Sequence, residues 1–271
     1  MKIKTNKILL ALSGLLFISS LFISCSSPAS DKADITPTVN VTNENIVETI
    51  ATLSGEWIIV ATGDFSNVSL NSIGQAINAR HSEDETFFVS FNLSGVRGLT
   101  RIEAFAFDQC TALKSIYLPD GVTSIEDAAF QQCTSLTSIN IPDSVTSIGS
   151  CAFNMCEGLT NITIPNNVTY IGNCAFQACT GLTSINIPSS VSIIESSAFY
   201  HFKGMNIQNV YFEETDNWKI YEMHFDYSIN DYDTRIDKTP DDFDLSNPAT
   251  AAVYLTYSYS WYQWEHSATD N

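Results

Sequence analysis

The stretch SLTSINIPDSVTSIGSCAFNMC, Ser135–Cys156, decides the fold because near copies flank it on both sides. ALKSIYLPDGVTSIEDAAFQQC precedes it at Ala112–Cys133, and GLTNITIPNNVTYIGNCAFQAC and GLTSINIPSSVSIIESSAFYHF follow at Gly158–Cys179 and Gly181–Phe202. Phe107, Phe130, Phe153, Phe176 and Phe199 stand 23 residues apart. Pro119, Pro142, Pro165 and Pro188 keep the same step, as do Cys110, Cys133, Cys156 and Cys179, and Leu113, Leu136, Leu159 and Leu182. A constant period of this kind marks a chain built from stacked repeats.

Each part of the unit L-x-x-I-x-[IL]-P-x-x-V-[TS]-x-I-x-x-x-A-F-x-x-C has a physical reading. Leu136, Ile139 and Ile141 alternate with the polar Ser138 and Asn140, as in a strand with one buried face. Pro142 lacks an amide donor and ends that strand. Val145 and Ile148 supply a second buried side, and Ala152, Phe153 and Cys156 a third. One 23-residue coil cannot bury three such faces alone, so each coil depends on its neighbours. The spacing predicts six rungs, at 91–93, 116–118, 139–141, 162–164, 185–187 and 210–212. The first and last are two residues out of step, as end coils that cap an open core should be.

With a period inside the leucine-rich repeat range, the unit resembles the BspA-like, or treponemal, class of bacterial leucine-rich repeats, LxxIxIPxxVtxIgxxAFxxC. The likeness covers about residues 86–218. The flanking pieces ATLSGEWIIVATGDFS, VYFEETDNWKIY and NPATAAVYLTYSYSWYQWEH also resemble treponemal members. The resemblance implies a surface or outer-membrane lipoprotein that binds host matrix proteins or partner bacteria. It implies no enzyme activity and no cofactor, and it carries over no binding residue.

The expected fold is a leucine-rich repeat solenoid of parallel β rungs with an N-terminal βαβ cap and a small α+β or irregular C-terminal cap. In the N-terminal cap, 46–93, Trp57–Ala61 reads as a strand. Leu70, Ile73, Ala76 and Ile77 lie at helical spacing behind Ser69, a candidate N-cap. Phe87–Leu93 returns as a strand. The C-terminal region, 219–271, is acidic and aromatic. There Asn247 and Pro248 suggest a helix start, whereas Val253, Leu255, Tyr257, Tyr259 and Trp261 alternate like a strand.

Of 271 residues, 12 are basic and 30 acidic. Lys2, Lys4 and Lys7 lie before Cys25, where there is no acid, so the remainder carries nine basic and 30 acidic residues. That balance disfavours a nucleic-acid footprint and electrostatic docking on anionic lipid; no nucleic-acid partner is expected. Met1–Lys7 is basic, Ile8–Ser24 apolar, and Phe22-Ile23-Ser24-Cys25 has the form of a lipoprotein cleavage box, with Phe22 in place of the usual Leu. An uncleaved anchor helix and ordinary signal cleavage are the other readings. The expectation is a signal peptide over 1–24, a lipid on Cys25, a flexible tether over 25–45, and an exported chain anchored in the outer membrane at the cell surface.

Chemistry has no visible seat. The thiols of Cys110, Cys133, Cys156 and Cys179 should form a buried column, because in-register rungs hold the Cβ vectors parallel and disfavour a bridge; Cys151 and Cys174 form a second, shorter column. His81, His201, His224 and His266 do not pair at metal-ligand spacing. Asp226, Asp231, Asp233, Asp237, Asp241, Asp242 and Asp244 lack the loop pattern of a calcium site. No phosphate loop, nucleophile elbow or zinc-protease motif occurs. Recognition falls instead to outward strand positions. These are Tyr117, Ser138, Asn140, Asn161, Thr163, Ser184, Asn186 and Tyr211, with Ser115 and Asn209 beside them, and the bland alternative is a merely solvated sheet face. The cluster Tyr254, Tyr257, Tyr259, Trp261, Tyr262 and Trp264 reads as a packed cap or as a contact patch. A protein ligand is the expected partner. A periplasm-facing scaffold and, more remotely, a carbohydrate-active C-terminal region are the competing functions. Oligomeric state is not legible.

Overall fold

The computed structural model describes residues 36–200, 209–213, 218–226, 231–238 and 262–266, with Ser246 and Ala251. Strand β1 (Thr38–Thr42) leads through helix α1 (Ile46–Ile50) to β2 (Glu56–Asp64), helix α2 (Leu70–Glu83) and β3 (Phe88–Arg97). Short strands then alternate between two sides of a coil: β4 (Arg101–Ile102), β5 (Leu113–Tyr117), β6 (Ser124–Ile125), β7 (Ser138–Asn140), β8 (Ser147–Ile148), β9 (Tyr170–Ile171), β10 (Ser184–Ile187), β11 (Ile193–Ile194) and β12 (Asn209–Phe212). Strands β13 (Trp218–Asp226), β14 (Asp231–Lys238) and β15 (Tyr262–His266) follow.

The first side is a parallel sheet in the order β1-β2-β3-β5-β7. Its inner row, Val39, Ile59, Phe91, Ile116 and Ile139, passes register by register into the core. Two expectations change here. The tether expected over 25–45 ends earlier, since Thr38–Thr42 pairs along its whole length with β2. The cause is the alternation in TVNVT, which leaves Val41 2% exposed against the cap. The rung expected at 162–164 forms no strand, so the first-side ladder stops at β7 and resumes as the pair β10-β12. Ile162 and Ile164 nevertheless stay buried, at 5% and 3% exposed. Side-chain burial therefore sets the path of this coil even where backbone pairing lapses.

The second side is the parallel ladder β4-β6-β8-β9-β11, which buries Ile102, Ile125, Ile148, Ile171 and Ile194. Beyond β11 the strand direction reverses: β15 pairs antiparallel with β11, β13 with β15, and β14 with β13. The acidic C-terminal stretch thus contains a β-hairpin, β13-β14. The helix start expected at Asn247 and the alternation from Val253 to Trp261 lie outside the described residues.

The third side contains no regular strand, yet it is fully laddered. Phe153 N–H donates to Ala175 carbonyl at 2.8 Å, Met155 to Gln177 at 2.8 Å and Cys151 to Asn173 at 2.7 Å, and the same three bonds recur between the other coils. Among the described residues nine non-glycine residues on this side lie in the left-handed region, including Ala128, Cys151, Cys174, Gln132 and Met155, with φ of 53–60°. Such a backbone persists because both its amides and its side chains are satisfied by the next coil. Inside, Phe107, Phe130, Phe153, Phe176 and Phe199 stack with centroids 5.3–5.4 Å apart and planes within 8°. Phe91 closes the column edge-on at 6.3 Å. Both arrangements are ones in which aromatic rings attract.

Helix α2 ends the third side. Leu70, Ile73 and Ile77 are fully buried. Asn71 Nδ2 donates to Phe105 carbonyl at 2.9 Å and Asn78 Nδ2 to Asp108 carbonyl at 3.3 Å, the latter an oxygen whose counterpart on Gln131 accepts from the preceding coil. Gly74 allows this contact, since a Cβ there would lie 2.3 Å from the Ala106 oxygen. Ser69 stands at the N-cap in extended conformation, but its hydroxyl does not cap the helix; it faces Glu103 Oε2 at 3.4 Å.

Candidate binding face

The outward positions of the first side come together as the strand register requires. Ser115 lies beside Ser138 and Tyr117 beside Asn140. On the later pair, Ser184 lies beside Asn209 and Asn186 beside Tyr211. Ser138, Asn140, Asn161, Thr163, Ser184 and Asn186 are exposed. Tyr117 and Tyr211, 55% and 48% exposed, are the exposed aromatics of this face among the described residues. Asn186 is not free to reorient, because its Nδ2 donates to Glu213 Oε1 at 2.9 Å while Glu213 Oε2 accepts from the Ser189 amide at 3.1 Å. Asn161 and Thr163 fall on the segment without a strand, so the face is two patches separated by one coil.

Sequence reasoning confined the face to the repeats, whereas the cap sheet carries it further. One outward row runs Thr38–Ile58–Ser90–Ser115–Ser138, and a second runs Asn40–Val60–Asn92–Tyr117–Asn140. Ile58 and Val60 are only half-buried, so Tyr117 has polar Asn140 on one side and, past Asn92, an aliphatic strip on the other. The signal was the alternation of Thr38 and Asn40 with Val39 and Val41, which marks an edge strand on the same sheet. At its margin Lys114 Nζ lies 2.6 Å from Glu56 Oε2 and 4.9 Å from the Phe88 ring. This half-exposed pair orders the margin more than it stabilises it.

The thiols of Cys110, Cys133, Cys156 and Cys179 are fully buried. Cys133 Sγ donates to Phe107 carbonyl at 3.0 Å, Cys156 to Phe130 at 3.1 Å and Cys179 to Phe153 at 3.0 Å. Burial raises all four thiols, Cys179 to about 12. They are structural hydrophobes with a weak donor, not nucleophiles. Among the described residues no three His, Cys, Asp or Glu side chains gather at metal-binding distance. The side chains of the aspartates from Asp226 to Asp244 and of the Tyr254–Trp264 cluster lie outside the described residues, as does Cys25. No helix among the described residues is long and apolar enough to cross a membrane.

A family profile described as the BspA type leucine rich repeat region matches residues 99–230 in six copies. No curated protein matches the chain. Among solved structures, a leucine-rich repeat protein from Bacteroides ovatus is 34% identical, with a TM-score of 0.38, and the match covers 42% of this chain and 28% of that one. The leucine rich repeat protein of T. pallidum is 32% identical with a TM-score of 0.37, covering 47% of this chain and 59% of that one. The chain thus spans less than two thirds of either relative. The match falls on the coils whose Phe, Cys and Ile columns are continuous in space, and residues 99–230 are similar to the BspA type leucine-rich repeat region, a leucine-rich repeat solenoid.

Proposed function

We propose that this chain is a non-enzymatic lipoprotein of the bacterial envelope, exported, held at the outer-membrane surface by a lipid on Cys25, and adhesive through the first-side sheet. The observation that carries the reading is the double outward row across five parallel strands, with Tyr117 exposed on the fourth of them. A flat, rigid sheet that mixes Ser and Asn with Tyr and half-buried Ile and Val suits a protein ligand held by many contacts around an aromatic anchor. The net negative charge steers the choice toward neutral or basic partners, such as matrix proteins or proteins of other bacteria.

Protease added to intact cells tests the location, and an array of matrix proteins tests the ligand. Cleavage on whole cells and saturable binding that falls at least about tenfold in Tyr117→Ala, as expected of an interface anchor, support the reading. A protected chain points instead to a periplasm-facing scaffold. Binding indifferent to both Tyr117→Ala and Asn140→Arg removes this face as the contact surface.

A further inference from the structure

Six cysteines are described, and two of them stand apart from the buried column. Cys151 and Cys174 are half-buried on the third side and occupy the left-handed position of consecutive coils, with φ of 55° and 56°. The amide of Cys151 donates to Asn173 carbonyl at 2.7 Å and that of Cys174 to Ser196 carbonyl at 3.2 Å, which holds the two turns in register. Adjacent coils are ~4.8 Å apart, inside the Cα separation that a disulfide spans.

The immediate surroundings are polar. Cys174 Sγ donates to Asn173 Oδ1 at 3.0 Å. The single Cys174 S–H can turn instead to the Cys151 sulfur, and the Asn154 side chain bonds Cys151. Asn154 is 8% exposed, so its bond to the sulfur is made on the buried side of the pair. The remaining thiol and the Asn154 amide both stabilise a thiolate on Cys151, which is pushed down to about 7. Cys174 is pushed up, first because its hydrogen bond to Cys151 holds the proton on it, then by burial and by the charge of a Cys151 thiolate. The pair is bounded, since the coils before and after place Ala128 and Ser197 at the same position.

We propose that Cys151 and Cys174 form a reversible dithiol–disulfide site, oxidised by small-molecule disulfides, that staples two neighbouring coils on the solvent side of the solenoid. The Cys151 thiolate attacks one sulfur of R–S–S–R. That bond breaks, and the departing R–S⁻ takes up the proton Cys151 gave. Cys174 then loses its proton and attacks the Cys151 sulfur of the mixed disulfide. The Cys151–Cys174 bond forms as the second R–S⁻ leaves and is protonated. Two protein thiols are oxidised and one disulfide is reduced to two thiols. Because in-register side chains leave adjacent coils in parallel, the bridge needs a local shift and is readily reduced again.

Incubation of the folded full-length chain with oxidised glutathione at neutral pH, followed by acid quench, alkylation and peptide mapping, tests the site. The expected product links the Cys151 and Cys174 peptides, while the four column thiols become alkylated only after unfolding. Cys174→Ser should stop at a glutathione adduct on Cys151, and Cys151→Ser should react at least about tenfold more slowly, since the low-pKa attacking thiol is gone. Ser197 already fills this position one coil on, so neither variant should disturb the fold. Free thiols at both positions, stable glutathione adducts on both, or a bridge from either to Cys25 or to a column cysteine would each overturn the proposal.

Discussion

The Cys156 thiol donates to the Phe130 carbonyl one coil earlier at 3.1 Å. The same oxygen already accepts from the Cys133 amide at 3.2 Å. Each column cysteine therefore fills volume and ties a second donor to the turn before it. Replacing Cys156 by Ala should remove both, at a cost of about 1–3 kcal/mol. Cys156→Ser should unfold at higher urea than Cys156→Val, because only Ser can still donate to the carbonyl. Equal midpoints for Ser and Val would show that the link carries no weight.

Alkaline pH should weaken the fold steeply. The column thiols are raised in the folded chain, so the folded state keeps protons that the unfolded state releases. Their contribution is complete below the unfolded thiol range, about 8.5, and is lost as pH climbs toward the folded values, about 12 for Cys179. Across that window each thiol should lower the unfolding free energy by about 1.4 kcal/mol per pH unit. Urea titrations in steps of pH measure the slope, and each Cys→Ala change in the column should flatten it.

Much of this fold was legible because the period is strict. The Phe, Leu and Ile columns follow from the 23-residue step alone, since a side chain repeated once per coil must stack on its copy. The third-side backbone was not legible. Its left-handed residues are Ala, Cys, Gln, Met, Phe and Ser, types that do not favour that region, and bonds between coils fix all of them but Ser197. Half of the candidate binding face was also hidden. Thr38 and Asn40 sit in a short polar stretch whose two valines decide the strand, and Ile58 and Val60 read as core when taken within their own strand. The lapse of the ladder at Asn161–Ile164 has no counterpart in the repeat pattern, and nothing in the surrounding contacts explains it.

The left-handed turns make a further prediction. Met155 has φ of 59°, is 37% exposed and donates its amide to Gln177 carbonyl at 2.8 Å. A side chain in that conformation costs about 1–2 kcal/mol, which glycine avoids at an entropic cost of about 0.5–1 kcal/mol. Met155→Gly should therefore raise stability by up to about 1 kcal/mol, and Met155→Val should lower it, with thermal unfolding as the readout. A destabilised glycine variant would mean that the Met side chain packs usefully despite its exposure.

Glycine is demanded elsewhere for the opposite reason. Gly149 and Gly172 occupy one repeat position, which Glu126 and Glu195 fill in the flanking coils. A Cβ on Gly172 would lie 2.6 Å from the Gly149 carbonyl carbon and the Ser150 nitrogen, backbone atoms that cannot swing aside. The Gly172 amide is meanwhile fixed to Ile148 carbonyl at 2.8 Å. Gly172→Ala should push two coils apart beside the second-side ladder and cost about 1–3 kcal/mol. Hydrogen exchange should localise the damage to the Ile148 and Ile171 rungs. If the alanine variant keeps both the unfolding midpoint and the protection of those amides, the close approach of the two glycines is not what sets this coil spacing.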